Sequence, residues 1–180
     1  MTKAMDWLQE KIMPPLFKMA SNKYLLAIRD AFTSTFAIVA IGSIFLLICY
    51  FPSPKWSEFI SPYVGMLSVP NALTMGLIAV YMAFAMGYSL GAAVDLEPLV
   101  NGISVLCIFL LMVNPISDGV IHMNYLGSAG IFVAILAAAV TTALSKLFKK
   151  RGIVIKMPDA VPPIIAAAFE MLISLFVIIV

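Results

Sequence analysis

Charge is what this sequence has little of. Of its 180 residues only 11% are Asp, Glu, Lys or Arg, 63% are hydrophobic, and the mean hydropathy is +1.07. A water-soluble domain of this size has no interior large enough to hide that much apolar surface. Histidine is nearly absent too. His122, the only one, lies in a loop beside Asp118 and Asn124, with no second imidazole to complete a metal site or a proton relay. The only two cysteines, Cys49 and Cys107, sit inside apolar stretches and read as buried small hydrophobes, neither a disulfide framework nor a metal set. No basic tract is interleaved with aromatics, which argues against a nucleic-acid-binding face. Gly87-Tyr88-Ser89-Leu90-Gly91 and Gly127-Ser128-Ala129-Gly130 do not form a phosphate-cradling loop; they match the small-residue packing surfaces of membrane helices. No catalytic, cofactor-binding or metal-binding residues are expected, and no cofactor.

Long uncharged runs are what the chain does have. Crossing the hydrocarbon core takes about 20 apolar residues as helix, with every backbone polar group bonded within the segment. The runs predict an all-α integral membrane protein with about five transmembrane helices, at residues 31–51, 71–93, 98–113, 126–147 and 161–180. Pro70 reads as the start signal of the second. An N-terminal secretory signal is excluded, because the first apolar run begins only after thirty mixed residues with no small-residue cleavage pattern behind it. Residues 1–30 are of another kind. Met5, Leu8 and Ile12 recur at helical spacing opposite Asp6, Gln9, Glu10 and Lys11, and Pro14 and Pro15 follow. This segment, including the mixed stretch from Leu16 to Asp30, reads as an amphipathic helix lying in the membrane interface.

The connector after the fourth span carries the most local information. Lys149-Lys150-Arg151-Gly152 puts cations at the negative end of a helix dipole and a glycine where a left-handed cap is needed. In Lys156-Met157-Pro158-Asp159-Ala160-Val161-Pro162-Pro163, three prolines within six residues impose an extended turn. Asp159 is placed to cap the helix that follows. Glu170 falls inside or at the edge of the fifth span with no second charge grouped with it. A carboxylate there is costly, which makes it a weak functional suspect, while a position near the interface with the side chain reaching water accounts for it without function.

Four blocks in order carry a family resemblance. Ser21-Asn22-Lys23-Tyr24-Leu25-Leu26-Ala27-Ile28-Arg29-Asp30-Ala31-Phe32 resembles the entry to the first membrane helix of the lactose/cellobiose, or oligosaccharide, class of phosphotransferase-system sugar permeases, enzyme IIC. Ile41-Gly42-Ser43-Ile44-Phe45-Leu46-Leu47-Ile48 continues it; the blocks from Leu126 through Gly127 to Ile135 and from Ile153 to Pro163 are similar to two more. The matching positions include Arg29, Asp30, Gly42, Gly127, Met157, Pro158, Asp159, Pro162 and Pro163, all read as structural. Departures are Ala160 where the family has Gly, Ile164-Ile165-Ala166-Ala167-Ala168 where polar or basic residues follow the paired prolines, and Ser174 near a family proline. The resemblance implies a bacterial plasma-membrane protein, multi-pass, that forms a homodimer and works with soluble phosphoryl-carrier subunits. It further implies that this chain is the scaffold half of the permease, with the sugar-binding C-terminal half absent, so that a split C-terminal partner, a fragment or a disrupted gene product are all expected origins. A non-transporting scaffold is the alternative; an intramembrane enzyme is disfavoured because no catalytic residues pair. Gly127, Ser128, Gly130, Ala134, Ala137 and Ala138 form a small-residue surface that permits close helix packing in a dimer.

Ten of the eleven basic residues lie in two clusters, Lys3 to Arg29 and Lys146 to Lys156, with Lys55 alone between them. The excess of Lys and Arg in cytoplasmic loops puts both clusters, and the N-terminus, on the cytoplasmic side. A single cysteine at position 117 should therefore react with an impermeant reagent added to intact cells, and one at position 150 should not. Equal labelling of the two refutes this topology.

Overall fold

The structure, a computed structural model, describes Met13 and residues 21–117, 119–158 and 160–180, with the side chains of Ser117 and Val120 left aside. The expected interfacial helix through Met5, Leu8 and Ile12, and the residues Asp118 and Asp159, lie outside the described residues.

The first helix, α1, spans Lys23–Cys49. Asn22 starts it: its Oδ1 accepts the Tyr24 backbone N–H at 2.9 Å, replacing one of the donors that a helix start leaves free. Residues 23–30, read above as part of the interfacial segment, are thus continuous with the first long helix. Helical continuity depends on the cap and the absence of a breaker, while the change in polarity at Ala31 marks only where charge gives way to apolar surface. Twenty-seven residues rise about 40 Å, well beyond the roughly 30 Å of hydrocarbon.

Next come α2 (Pro54–Ile60), a 3-10 turn at Ser61–Tyr63, α3 (Val64–Thr74), a second 3-10 turn at Met75–Leu77, and α4 (Ile78–Ala93). The helix start expected at Pro70 is not there, because Pro70 lies inside α3. Among packed membrane helices a missing N–H is tolerated when neighbouring groups satisfy the freed carbonyls. The interruption falls instead around Gly76, where Leu77 leaves the helical region with φ −112° and ψ 16°. A carbonyl from a distant loop, that of Leu126, accepts the Ala79 N–H at 2.9 Å and serves one of the free donors at the start of α4.

A four-residue corner with Asp95 at positive φ (62°) leads to α5 (Pro98–Val113), whose N-cap Glu97 accepts the Val100 N–H through Oε2 at 2.7 Å. Asn114 ends α5 in the left-handed region. A two-residue antiparallel pair, β1 (Ile116–Ser117) with β2 (Val120–Ile121), makes a small hairpin turning at Gly119. After a turn at Ser128–Gly130, α6 runs Ile131–Arg151 and stops as its sequence predicts. Gly152 adopts φ 69°, its N–H reaches Lys149 O at 3.1 Å, and the Ile153 N–H reaches Phe148 O at 3.0 Å, the paired bonds of a Schellman cap. Pro163 opens α7 (Pro163–Ile179). Among the described residues three helical stretches are long and apolar enough to cross a membrane, Lys23–Cys49, Pro54–Ala93 and Ser128–Arg151, with Pro98–Val113 and Pro163–Ile179 shorter but apolar.

Helix α4 is the hub: it packs on α1, α5 and α6, while α7 rests on α5 and α6. Its contact face repeats a small residue every four positions, Ala79, Ala83, Gly87 and Gly91, all buried. Met82, Met86 and Leu90 of the same helix are buried beside them, while Phe36 of α1 and Phe132 of α6 stand 71% and 81% exposed on the outside of the bundle. In lipid no hydrophobic force drives helices together, so small residues that let backbones touch are what hold such a bundle.

This face also corrects two expectations. Ala134, Ala137 and Ala138 are each 0% exposed within the single chain, and Gly130 sits against the Tyr125 carbonyl and the Ala79 side chain. The stripe expected to mediate a dimer is therefore used for intrachain packing of α6. Cys49 is buried as expected, but Cys107 on α5 is exposed.

A Cβ added at Gly87 would lie 2.7 Å from Val105 Cβ and 2.9 Å from Gly102 Cα, whereas one at Gly65 meets nothing within 4 Å. Gly87→Ala should destabilise the detergent-solubilised protein by about 1–3 kcal/mol through overpacking. Gly65→Ala should be neutral or stabilising by up to about 1 kcal/mol through helix propensity. Thermal unfolding midpoints compare the two; equal shifts would refute the close α4–α5 contact.

Candidate functional site

Most of the buried polar side chains belong to three helices: Asn101 and Ser104 on α5, Thr141, Thr142 and Ser145 on α6, and Ser174 on α7, with Thr35 of α1 apart from them. Asn101 is fully enclosed and uses both amide hydrogens: Nδ2 donates to Gly87 O at 2.6 Å and to Thr142 Oγ1 at 2.9 Å. Its site exists because α4 offers a glycine carbonyl opposite and α6 a hydroxyl, so a single side chain ties three helices. Ser104 Oγ donates to its own helix at Val100 O, 2.7 Å. Asn101 Oδ1, Thr141 Oγ1 and Ser145 Oγ have no hydrogen-bond partner among the described residues. Thr74, on α3, donates to Pro70 O at 2.6 Å.

At the basic end of α6 lies a charged clasp. Glu170 does not stand alone: Lys149 Nζ is 3.4 Å from Glu170 Oε2 and also donates to Asp95 O at 3.3 Å. One ammonium therefore joins the α4–α5 corner, the end of α6 and the first half of α7. With the two side chains about 46% and 31% exposed, water reaches the pair, and its energy is that of a partly screened bridge. The carboxylate is accounted for by this neighbour.

The family-motif positions are scattered. Arg29 and Asp30 pair with each other on the surface of α1, Nη2 to Oδ1 at 2.7 Å. Gly42 is buried where an added Cβ would overlap the Thr74 side chain, and Gly127 stands over the Gly76 carbonyl. Met157 and Pro158 lie in the connector, where the Val161 N–H closes a turn onto Pro158 O at 3.0 Å; Pro162 precedes and Pro163 begins α7. These residues are not brought together into one site. His122 is exposed beyond the small hairpin, its backbone N–H bonded to Pro115 O at 2.7 Å. Among the described residues no group of three or more metal-ligating side chains occurs.

Of the several grooves on the surface of the bundle, two are lined by both tyrosine and charged side chains. One, of about 790 Å³ between α1 and α4, is bordered by Asp30, Ser34, Tyr81, Phe84 and Tyr88. Three of its polar side chains are engaged within the chain: Asp30 by Arg29, the Tyr81 hydroxyl donating to Leu73 O at 2.9 Å, and Ser34 Oγ donating to Ala31 O at 2.8 Å. The other, of about 370 Å³, lies between α1, α4 and α6 with Tyr24 and Lys146 at one end. Sequence reasoning missed the Asn101–Thr142 contact, the Lys149–Glu170 bridge and the Tyr24–Lys146 pair. The i, i+4 spacing of Thr141 and Ser145 marks an inward polar face on α6, but nothing local in sequence names its partner.

Comparison with known proteins places this fold. The family described as "Phosphotransferase system, EIIC" matches residues 29–180. The lichenan permease IIC component of Bacillus subtilis strain 168 is 33% identical over 197 aligned residues, covering 99% of this chain and 44% of the relative. The cellobiose-specific EIIC component of Geobacillus stearothermophilus is 30% identical, covering 92% and 41%. The lactose-specific EIICB component of Staphylococcus epidermidis is 34% identical, covering 94% and 31%. Among solved structures, the transporter ChbC, the IIC component from the N,N'-diacetylchitobiose-specific phosphotransferase system, superposes with a TM-score of 0.84 at 31% identity over 96% of this chain and 44% of that one. The chain spans less than half the length of these relatives. On sequence and fold together, it belongs to the EIIC family of the phosphotransferase system, the membrane-integral components of that machinery.

Proposed function

We propose that this chain is the membrane scaffold part of an oligosaccharide permease of the cellobiose/lactose type, taking part in sugar uptake coupled to phosphorylation. The family match from residue 29 to 180, with relatives named for lichenan, cellobiose and lactose, carries the reading. What the bundle does with its polar groups supports the scaffold role. Sugar hydroxyls require several convergent donors and acceptors, usually against an aromatic face, screened from lipid. In this chain Asn101 is closed inside the bundle, Glu170 is held by Lys149, and Tyr81 and Asp30 are engaged by neighbours. Sugar contacts belong, on this reading, to a C-terminal permease part. Phosphoryl transfer belongs to soluble carrier subunits, in keeping with relatives named EIICB. The N-terminus and the basic end of α6 face the cytoplasm.

Calorimetry with cellobiose or lactose should show no heat of binding for the purified chain. Radiolabelled disaccharide uptake should appear only when it is co-expressed with a C-terminal part from a matching permease. Saturable binding by the chain alone overturns the scaffold assignment.

A homodimer, as the resemblance implies, completes the proposal. Since Ala134, Ala137 and Ala138 are enclosed within the chain, it must form through another surface. Crosslinking in mild detergent should trap a species of twice the monomer mass, and a monomer at every protein concentration would remove the dimer from the scheme.

A further inference from the structure

The smaller lateral groove has the shape and polarity of an amphiphile, one end charged and the rest apolar. Met86 and Leu90 of α4 and Ile135 and Ala139 of α6 form its body; Tyr24 and Lys146 stand at one end. Thr142, the other polar residue on its wall, has its hydroxyl oxygen accepting from Asn101 Nδ2 at 2.9 Å, inside the bundle. From Ile135 to Lys146 the helix rises roughly 16 Å, about half of the hydrocarbon thickness. The slot is therefore about as deep as one leaflet, the length of an acyl chain.

Its mouth is cationic. Lys146 Nζ donates to the Tyr24 hydroxyl at 3.1 Å, and the ammonium groups of Lys146 and Lys23 each lie 5.7 Å from the centre of the Tyr24 ring. An ammonium carries three hydrogens, so Lys146 retains two beyond the one given to Tyr24. Because the phenol oxygen accepts that bond, its own O–H is free to donate outward. Nearby charges are balanced elsewhere: Arg29 by Asp30, and Lys149 by Glu170. Among the described residues neither Lys23 nor Lys146 has a carboxylate within ion-pair distance. Lys146 stands one turn before Lys149, Lys150 and Arg151, the basic end of α6, so the mouth opens at a face of the bilayer. Basic pockets between membrane helices at such a level suit anionic lipid headgroups.

We infer that this groove is a binding site for an anionic phospholipid, its phosphate at Lys146, Lys23 and the Tyr24 hydroxyl and one acyl chain lying between α4 and α6. The apolar wall gives selectivity for a chain, and the two ammonium groups give selectivity for negative charge. Neither end alone would distinguish a phospholipid from a detergent or a free anion.

Native mass spectrometry of the delipidated chain in mild detergent, titrated with phosphatidylglycerol or phosphatidylcholine of the same acyl chains, tests it. Phosphatidylglycerol should bind in preference and should raise the thermal midpoint where phosphatidylcholine and inorganic phosphate do not. Lys23→Gln with Lys146→Gln should weaken phosphatidylglycerol binding by roughly fivefold per residue, about twenty-fivefold together. Ala139→Phe, which fills the slot, should weaken it with the lysines intact, and Lys146→Arg should retain it. Equal binding of the two lipids by the unmodified chain overturns the proposal without reference to any variant. So does undiminished binding by the double lysine variant or by Ala139→Phe, or a stabilisation by inorganic phosphate matching that by the lipid.

Discussion

Everything else in this bundle depends on how closely α4 approaches its neighbours. Four small residues at four-residue spacing, Ala79, Ala83, Gly87 and Gly91, leave the backbone of α4 as the contact surface. At Gly87 it stands so near α5 that even a methyl group would collide with Val105. Because dispersion falls off steeply with separation, atoms in such contact contribute where a gap of even half an ångström would forfeit much of the attraction. That proximity also brings the Gly87 carbonyl within reach of Asn101. The polar tie between α4, α5 and α6 is thus a consequence of the apolar packing and not an independent device.

The same geometry governs the buried polar groups. An amide buried in a bilayer-spanning bundle carries a desolvation cost unless its hydrogens find acceptors. Asn101 meets the part owed to its hydrogens with two bonds, one to backbone and one to a hydroxyl, which fix the rotation of α5 and α6 about their axes, while its Oδ1 has no partner among the described residues. Further toward the charged end, Lys149 repeats the logic with an ammonium, holding a carbonyl from the α4–α5 corner and a carboxylate from α7. Helix α7, whose main packing partners among the described residues are α5 and α6, owes part of its placement to that contact.

Much of this was readable from the chain, and the failures have physical causes. Apolar runs announce helices because lipid forbids unpaired backbone, and the Lys149-Lys150-Arg151-Gly152 ending specifies its cap through local chemistry alone. Pro70 misled because a packed membrane helix can carry a proline in its interior; here the helix carries on to Thr74 and breaks around Gly76. The boundary at Ala31 misled for a different reason: hydropathy tracks the lipid edge, while the helix follows its cap at Asn22. Glu170 looked solitary because its partner lies on another helix, and Cys107 looked buried because an apolar run does not say which side faces protein. The alanine stripe of α6 was recognised as a packing surface, but small residues carry no label for their partner, and the partner proved to be within the same chain.

The bond from Ala79 N–H to Leu126 O has a practical consequence for manipulating the protein. It fastens the segment after the hairpin to the top of the hub helix, and Gly130 pressed against the Tyr125 carbonyl tightens the seam. The connection between α5 and α6 is therefore of two characters. Its second part, from Met123 to Gly130, works as a lid riveted to the bundle, where foreign residues would prise the helices apart. The hairpin tip at Gly119, with φ 76° and open space around it, is the natural place to graft an epitope or a fluorophore without loosening the staves beneath.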